Sequence, residues 1–238
     1  MKERGMIFNG EMVRALLSGR KTQTRREVNL NLDIACLATT YDWATSLAAN
    51  HYQALTEEQI QQKAESLRGV IHPVILGNGQ MVSIICPHGK PGDRIWVRET
   101  FCPVDDTQYG GEKWVDYRAT PKFEASHPAG WDCAPNDAEA LKWRPSIHMP
   151  RWASRILLEI TDVRVEQLNA ISQEDAQAEG MELTGWRPTY SDPDSGGEVM
   201  TPYDNFAELW SSIYGDESWK ANPWVWVISF KRVEGGAA

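Results

Sequence analysis

The apolar positions of this chain follow two rhythms, and each marks different elements. "GMIF" at residues 5–8 is a short apolar run that predicts a strand. In "NGEMVRALLSG" the spacing lengthens: Met12, Leu16 and neighbouring Leu17 share one helical face, Asn9 is a suitable N-cap and Gly19 a stop. "TQTRREV" then returns as a strand. In "KPGDRIWVRETF", Pro91 and Gly92 turn the chain, and Ile95, Val97 and Glu99 alternate with Trp96, Arg98 and Thr100. "SRILLEITDVRVEQL" reads as a long β segment. "SQEDAQAEGM" reads as a short helix, with Ser172 and Asp175 at capping-box spacing and Gly180 at its end. "YDNFAELWSSIYG" is an amphipathic helix. The closing "NPWVWVISFKRV" is apolar on both faces, which predicts a central strand.

Between these elements the rhythm weakens. Residues 29–85 yield one clear helix, "TEEQIQQKAESL", capped by Thr56, and otherwise read as an insertion. Residues 102–150 are rich in Pro, Gly, Asp and Trp and predict long loops with a short strand near "KWVDYRA". "SDPDSGGE" at 191–198 reads as a loop and "EGGAA" as a frayed tail. No internal repeat and no regular βαβ alternation occurs. The element order predicts an α+β fold: a small mixed β-barrel decorated by helices, in a single elaborated domain with core segments 5–28, 86–101, 150–182 and 222–233 and insertions at 29–85, 102–149 and 183–221.

Composition narrows the function classes. The 238 residues carry a formal net charge of -9, which argues against bulk binding to nucleic acid while leaving room for a local basic pocket. The four cysteines include no C-x-x-C pair, and "CPHG" sets Cys86 and His88 together without a second pair, so neither a metal nor another cofactor is expected. No signal peptide or 18-residue apolar stretch is present, and a cytoplasmic protein with free thiols is expected. Eleven tryptophans either fill the core or line a groove where they stack on bases.

The basic charge concentrates in "LLSGRKTQTRR", where Arg20, Lys21, Arg25 and Arg26 surround Thr22 and Thr24. Helix C-termini attract cations, and threonines suit a strand, so the cluster has an ordinary structural explanation. It also has a chemical one. A lysine whose pKa falls through desolvation or neighbouring cations can take the proton of a threonine hydroxyl, and a nearby carboxyl group can protonate a leaving nitrogen.

The helix followed by "SGRKTQTRR", the "PGDRIWVRETF" strand, the long strand leading to "ISQEDAQAEGM" and the closing "WVWVISFKRV" together resemble the ASCH domain, a relative of the PUA fold. Over nearly its full length the chain looks like the larger ASCH-type proteins of phages and prophages of enteric bacteria. The resemblance implies a β-barrel with a cleft and a role connected with RNA or nucleosides. The family includes small bacterial amidohydrolases that deacetylate N4-acetylcytidine, whose Gly-Arg-Lys-Thr-x-Thr run stands here at Gly19 to Thr24. By that resemblance Lys21 is the base, Thr24 the nucleophile and Glu179 the proton donor. Glu174 is an alternative carboxylate on the same segment. These groups are expected to meet in one cleft and to be exposed enough to reach a substrate.

Further candidates for substrate binding are Arg20, Arg25, Arg26, Arg98, Glu99, Arg155 and Trp152. Arg144, Arg151 and Trp143 flank the same stretch as Trp152, and His148 lies within it. The expected partner is a modified nucleoside or single-stranded RNA, with no membrane. Two other functions fit the residues: an RNA-binding module without catalysis, and a metal-dependent ribonuclease, which would need acidic ligands in the cleft.

Overall fold

The computed structural model describes residues 1–29, 32–50, 55–105, 107, 113–122, 142–182, 184–187 and 198–233. Its largest sheet is five-stranded, in the order β1-β6-β9-β12-β2. The strands are β1 (Glu3–Ile7), β2 (Gln23–Glu27), β6 (Arg94–Arg98), β9 (Leu157–Gln167) and β12 (Trp224–Val233). β1 runs parallel to β6, and the other pairings are antiparallel. A second sheet holds β3 (Ile34–Leu37), β4 (His72–Leu76) and β5 (Met81–Ile84). Two hairpins, β7 (Phe101–Asp105) with β8 (Lys113–Tyr117) and β10 (Thr184–Arg187) with β11 (Glu198–Met200), complete the β structure among the described residues.

The helices are α1 (Gly10–Leu17), α2 (Thr40–Asn50), α3 (Glu57–Leu67), α4 (Gln173–Ala178), α5 (Pro202–Tyr214) and α6 (Asp216–Ala221). Each foreseen cap is made: the side chains of Asn9, Thr56 and Ser172 accept from the backbone N–H groups of Met12, Gln59 and Asp175. None of the described helices is long and apolar enough to cross a membrane.

β12 is central, and its two faces are buried in different surroundings. Trp226, Ile228 and Phe230 enter the main apolar cluster with Met6, Ile95, Leu158 and Val163. Val225 and Val227 face a second cluster with Leu168, Ala176, Phe206 and Trp210, beneath α4 and α5. A strand buried on both faces has no polar alternation, which is why its sequence reads as a continuous apolar run.

Residues 29–85 do more than interrupt a core. Val74 and Ile84 of the three-stranded sheet lie in the main cluster. Pro73 hides this strand in the sequence, because proline lacks the N–H that a ladder uses; here it sits within β4 opposite Ser83. Segment 191–197, Cys133 and the tail 234–238 lie outside the described residues.

Candidate functional site

The basic turn between α1 and β2 is fixed by backbone geometry. Gly19 adopts φ 77°, ending α1, and the Lys21 N–H donates to the Ala15 carbonyl at 3.1 Å. The Thr22 N–H then donates to the Ala178 carbonyl at 2.8 Å, locking the start of β2 to the end of α4. Gly180 is needed here. It holds φ +95°, and a Cβ would stand 2.8 Å from that of Ala15 and 3.3 Å from that of Lys21.

This close approach brings Lys21 onto Glu179. The Lys21 Nζ donates to the Glu179 side-chain Oε2 at 2.5 Å and to its backbone carbonyl at 2.8 Å. Arg25 donates from Nη1 to Glu179 Oε1 at 3.3 Å and to Gln23 at 2.8 Å. Its other nitrogens reach Glu166 at 2.5 and 3.0 Å and Asp175 at 3.0 Å. Arg164 joins the same carboxylates, at 3.2 Å to Glu166 and 2.6 Å to Asp175. Three cations thus balance three carboxylates, with the Arg25 guanidinium lying 5.7 Å from the centre of the Phe206 ring.

Lys21 is 2 % exposed and Glu179 1 %. The expectation of exposed catalytic groups is therefore corrected: both are enclosed. Burial is the largest influence on Lys21 and lowers its pKa; Glu179 pulls it back up, while Arg26 and Arg25 add smaller downward pushes. Of the three carboxylates on the α4 segment, Glu179 is inside, Asp175 is half-buried against Arg25 and Arg164, and Glu174 is on the surface. A cavity of about 550 Å³ adjoins Glu179, walled by α1, the turn after α4, and α5, with Arg20, Glu182 and Glu208 among its lining residues. Arg20 pairs with Glu182 there.

Thr24 lies on the other face of β2. Alternate strand residues point to opposite faces, and Thr24 pairs with Ile228 of the main cluster whereas Arg25 pairs with Val227 of the second. Thr24 is 1 % exposed. Arg26 shares that face, donating to the Ile7 carbonyl at 2.7 Å and lying over Phe8. Lys21, Arg25 and Glu179 are thus brought together, and Thr24 and Arg26 are turned away from them.

The remaining candidates form a separate group. Glu99 is buried and gripped by Arg155 through two bonds of 2.9 Å. Arg155 also reaches Thr120 at 2.9 Å, and its guanidinium lies 3.9 Å from the Tyr117 ring centre. A cavity of about 380 Å³ borders Glu99, Arg14 and Arg118. Arg98 donates to the Ile147 carbonyl and lies over Trp96. Arg151 pairs with Glu3 at 3.0 Å, and Arg144 is tied through its backbone to Phe101. Trp152 is 68 % exposed.

Sequence reasoning missed Glu166, Asp175, Arg164 and Gln23. A signal existed for two of them: Arg164 and Glu166 recur at period two along the long strand, one face carrying charge where a solvated face would need none in particular. Among the described residues no group of three or more His, Cys, Asp or Glu is placed to hold a metal ion, and Glu166, Asp175 and Glu179 are each committed to a cation. No family model matches this chain, and neither a curated protein nor a solved structure matches it.

Proposed function

We propose that this protein is an ASCH-type amidohydrolase that removes the acetyl group from N4-acetylcytidine. The observation that carries the reading is the buried Lys21–Glu179 contact of 2.5 Å beside a 550 Å³ cavity. The fold side of the proposal is a small PUA-like barrel. Its support is that β1 and β2, the two edges of the five-stranded sheet, are tied by the Arg26 bond to the Ile7 carbonyl.

The chemistry follows from the pair. A lysine driven toward its neutral form by burial can accept a proton from the attacking hydroxyl. Attack on the acetyl carbonyl forms a tetrahedral oxyanion, for which the Arg20 guanidinium that lines the cavity is the nearby cation. Collapse breaks the bond between the carbonyl carbon and N4, and a proton delivered through Glu179 to N4 releases cytidine. With Thr24 as nucleophile, as the resemblance implies, the acetyl group first passes to Thr24 and water then frees acetate. The orientation of Thr24 toward Ile228 favours a second reading of the same reaction, in which the pair activates water and acetate leaves in one displacement.

Incubation with N4-acetylcytidine, with release of cytidine and acetate followed, tests this. Wild type is expected to turn over and Glu179→Gln to lose turnover by at least about 100-fold, the usual scale for a proton-transfer group, with its melting temperature recorded alongside. Thr24→Val separates the two nucleophiles: loss with an unchanged melting temperature assigns Thr24, and retained turnover assigns water. Absence of release by wild type, with single-stranded RNA bound or cleaved in a parallel assay with and without divalent metal, would replace the hydrolase reading by one of the RNA readings.

A further inference from the structure

A third cavity, of about 540 Å³, lies away from the Lys21 site, between β4, the turn after α3 and the β9 strand. Two of its polar lining residues are uncommitted. Arg68 is exposed and belongs to no ion pair among the described residues, and the half-buried carboxylate of Asp162 likewise belongs to none. His72 also lines the cavity. It is only 8 % exposed, and its Nε2 is buried without a hydrogen-bond partner. A buried polar atom in that state is costly unless something bonds it. Arg164 adds a second guanidinium to the lining, already oriented by Glu166 and Asp175.

These groups specify a ligand. Arg68 offers paired N–H donors to a phosphate, and Arg164, whose Nε and Nη2 are taken by Glu166 and Asp175, adds a donor through Nη1. An unpaired carboxylate in the same cavity disfavours a bare anion and favours a neighbouring group with hydroxyls to donate. The volume falls within the range of small-molecule sites. Gly69, at φ +70°, keeps the wall open beside Asp162: a Cβ there would lie 2.9 Å from Pro91 and 3.5 Å from Asp162 Oδ1.

We propose that this cavity is a second ligand site that takes a phosphorylated ribose, free or as part of a nucleotide, with Arg68 and Arg164 on the phosphate and Asp162 on the sugar hydroxyls. The site is separate from the proposed hydrolase cavity and does not depend on it. Arg164 nevertheless links the two, since the carboxylates that hold it also hold Arg25.

Calorimetric titration of the 238-residue chain with ribose 5-phosphate, cytidine 5′-monophosphate, cytidine and inorganic phosphate tests the assignment. Both phosphorylated sugars are expected to bind at least tenfold more tightly than cytidine or phosphate. Binding by ribose 5-phosphate equal to that of the nucleotide assigns the sugar phosphate alone, and tighter binding of the nucleotide adds the base. Arg68→Ala and Asp162→Asn, both at the surface of the cavity, should each weaken binding at least fivefold with an unchanged melting temperature. Arg20→Ala, in the other cavity, should leave it unchanged. The proposal is overturned if neither phosphorylated sugar binds, if both cavity variants bind as wild type does, or if Arg20→Ala alone abolishes binding. Deacetylation plays no part in these readouts, so failure of the hydrolase reading leaves the test intact.

Discussion

Two glutamates are buried among the described residues, Glu99 and Glu179, and their partners set them apart. Glu99 meets Arg155, which grips both carboxylate oxygens and stacks on Tyr117. Glu179 meets Lys21 and Arg25. A guanidinium does not give up its proton in a protein, so Arg155 does not pass a proton to Glu99. An ammonium group desolvated as Lys21 is can give up its own. Burial of a carboxylate alone says little about chemistry; whether its partner titrates says more.

The largest test removes the titratable partner. Lys21→Met leaves the enclosed Glu179 with Arg25 alone, and should destabilise the protein by about 3–5 kcal/mol, the usual cost of breaking a buried pair. Denaturant unfolding measures it. The double variant Lys21→Met/Glu179→Gln should recover at least about 1 kcal/mol of that loss, because the stranded charge is gone. A cost under about 1 kcal/mol for Lys21→Met would mean that the contact does not hold the region together.

The response to acid depends on two histidines, His72 and His88, and burial lowers the pKa of His88 to about 4 as it does that of His72. Burial lowers the pKa of His72 to about 4, with Asp162 opposing it. Between that value and the unfolded value near 6.5, the unfolded chain binds the extra proton. Stability therefore falls as pH drops from about 6.5 to about 4, by up to about 3 kcal/mol from this residue. His72→Gln should flatten part of that profile and His88→Gln a further part, leaving a shallower slope in the double variant. An equally steep profile in the double variant would assign the loss elsewhere.

A smaller effect is expected from Arg155→Lys. It keeps the charge but loses the two-pronged bond and the stacking on Tyr117, and should cost about 1–2 kcal/mol in thermal or denaturant unfolding. A neutral result would reduce the Arg155 grip to simple charge attraction. The smallest is Arg20→Ala. Its bond to Glu182 is at the surface, so stability should change by no more than about 0.5 kcal/mol. A larger loss would show that the cavity rim supports the cluster behind it.

The sequence carried some of this plainly. Caps at Asn9 and Ser172, the stops at Gly19 and Gly180, and the two-sided apolar run of β12 are local signals and were readable as such. The juxtaposition of Lys21 with Glu179 came from family resemblance, since no local rule joins residues 158 positions apart. The carboxylates around Arg25 were not legible, because Glu166 and Asp175 look like ordinary surface residues until α4 folds over β2 and β9. The depth of burial was misread for the same reason: charge in a sequence suggests solvent, and only packing reveals that Arg25 and Lys21 have none. Pro73 concealed the three-stranded sheet by breaking the pattern that identifies a strand.

The bond from Thr22 to the Ala178 carbonyl bears on motion. Together with the Lys21 bond to the Glu179 carbonyl and the tight fit of Gly180, it makes the end of α4 and the beginning of β2 one rigid piece. Fluctuations that detach the helix must also release the strand. The Thr22 amide, at the margin of the sheet and on an exposed residue, should then exchange its hydrogen for deuterium about as slowly as amides at the centre of β12, and the two sites should open together.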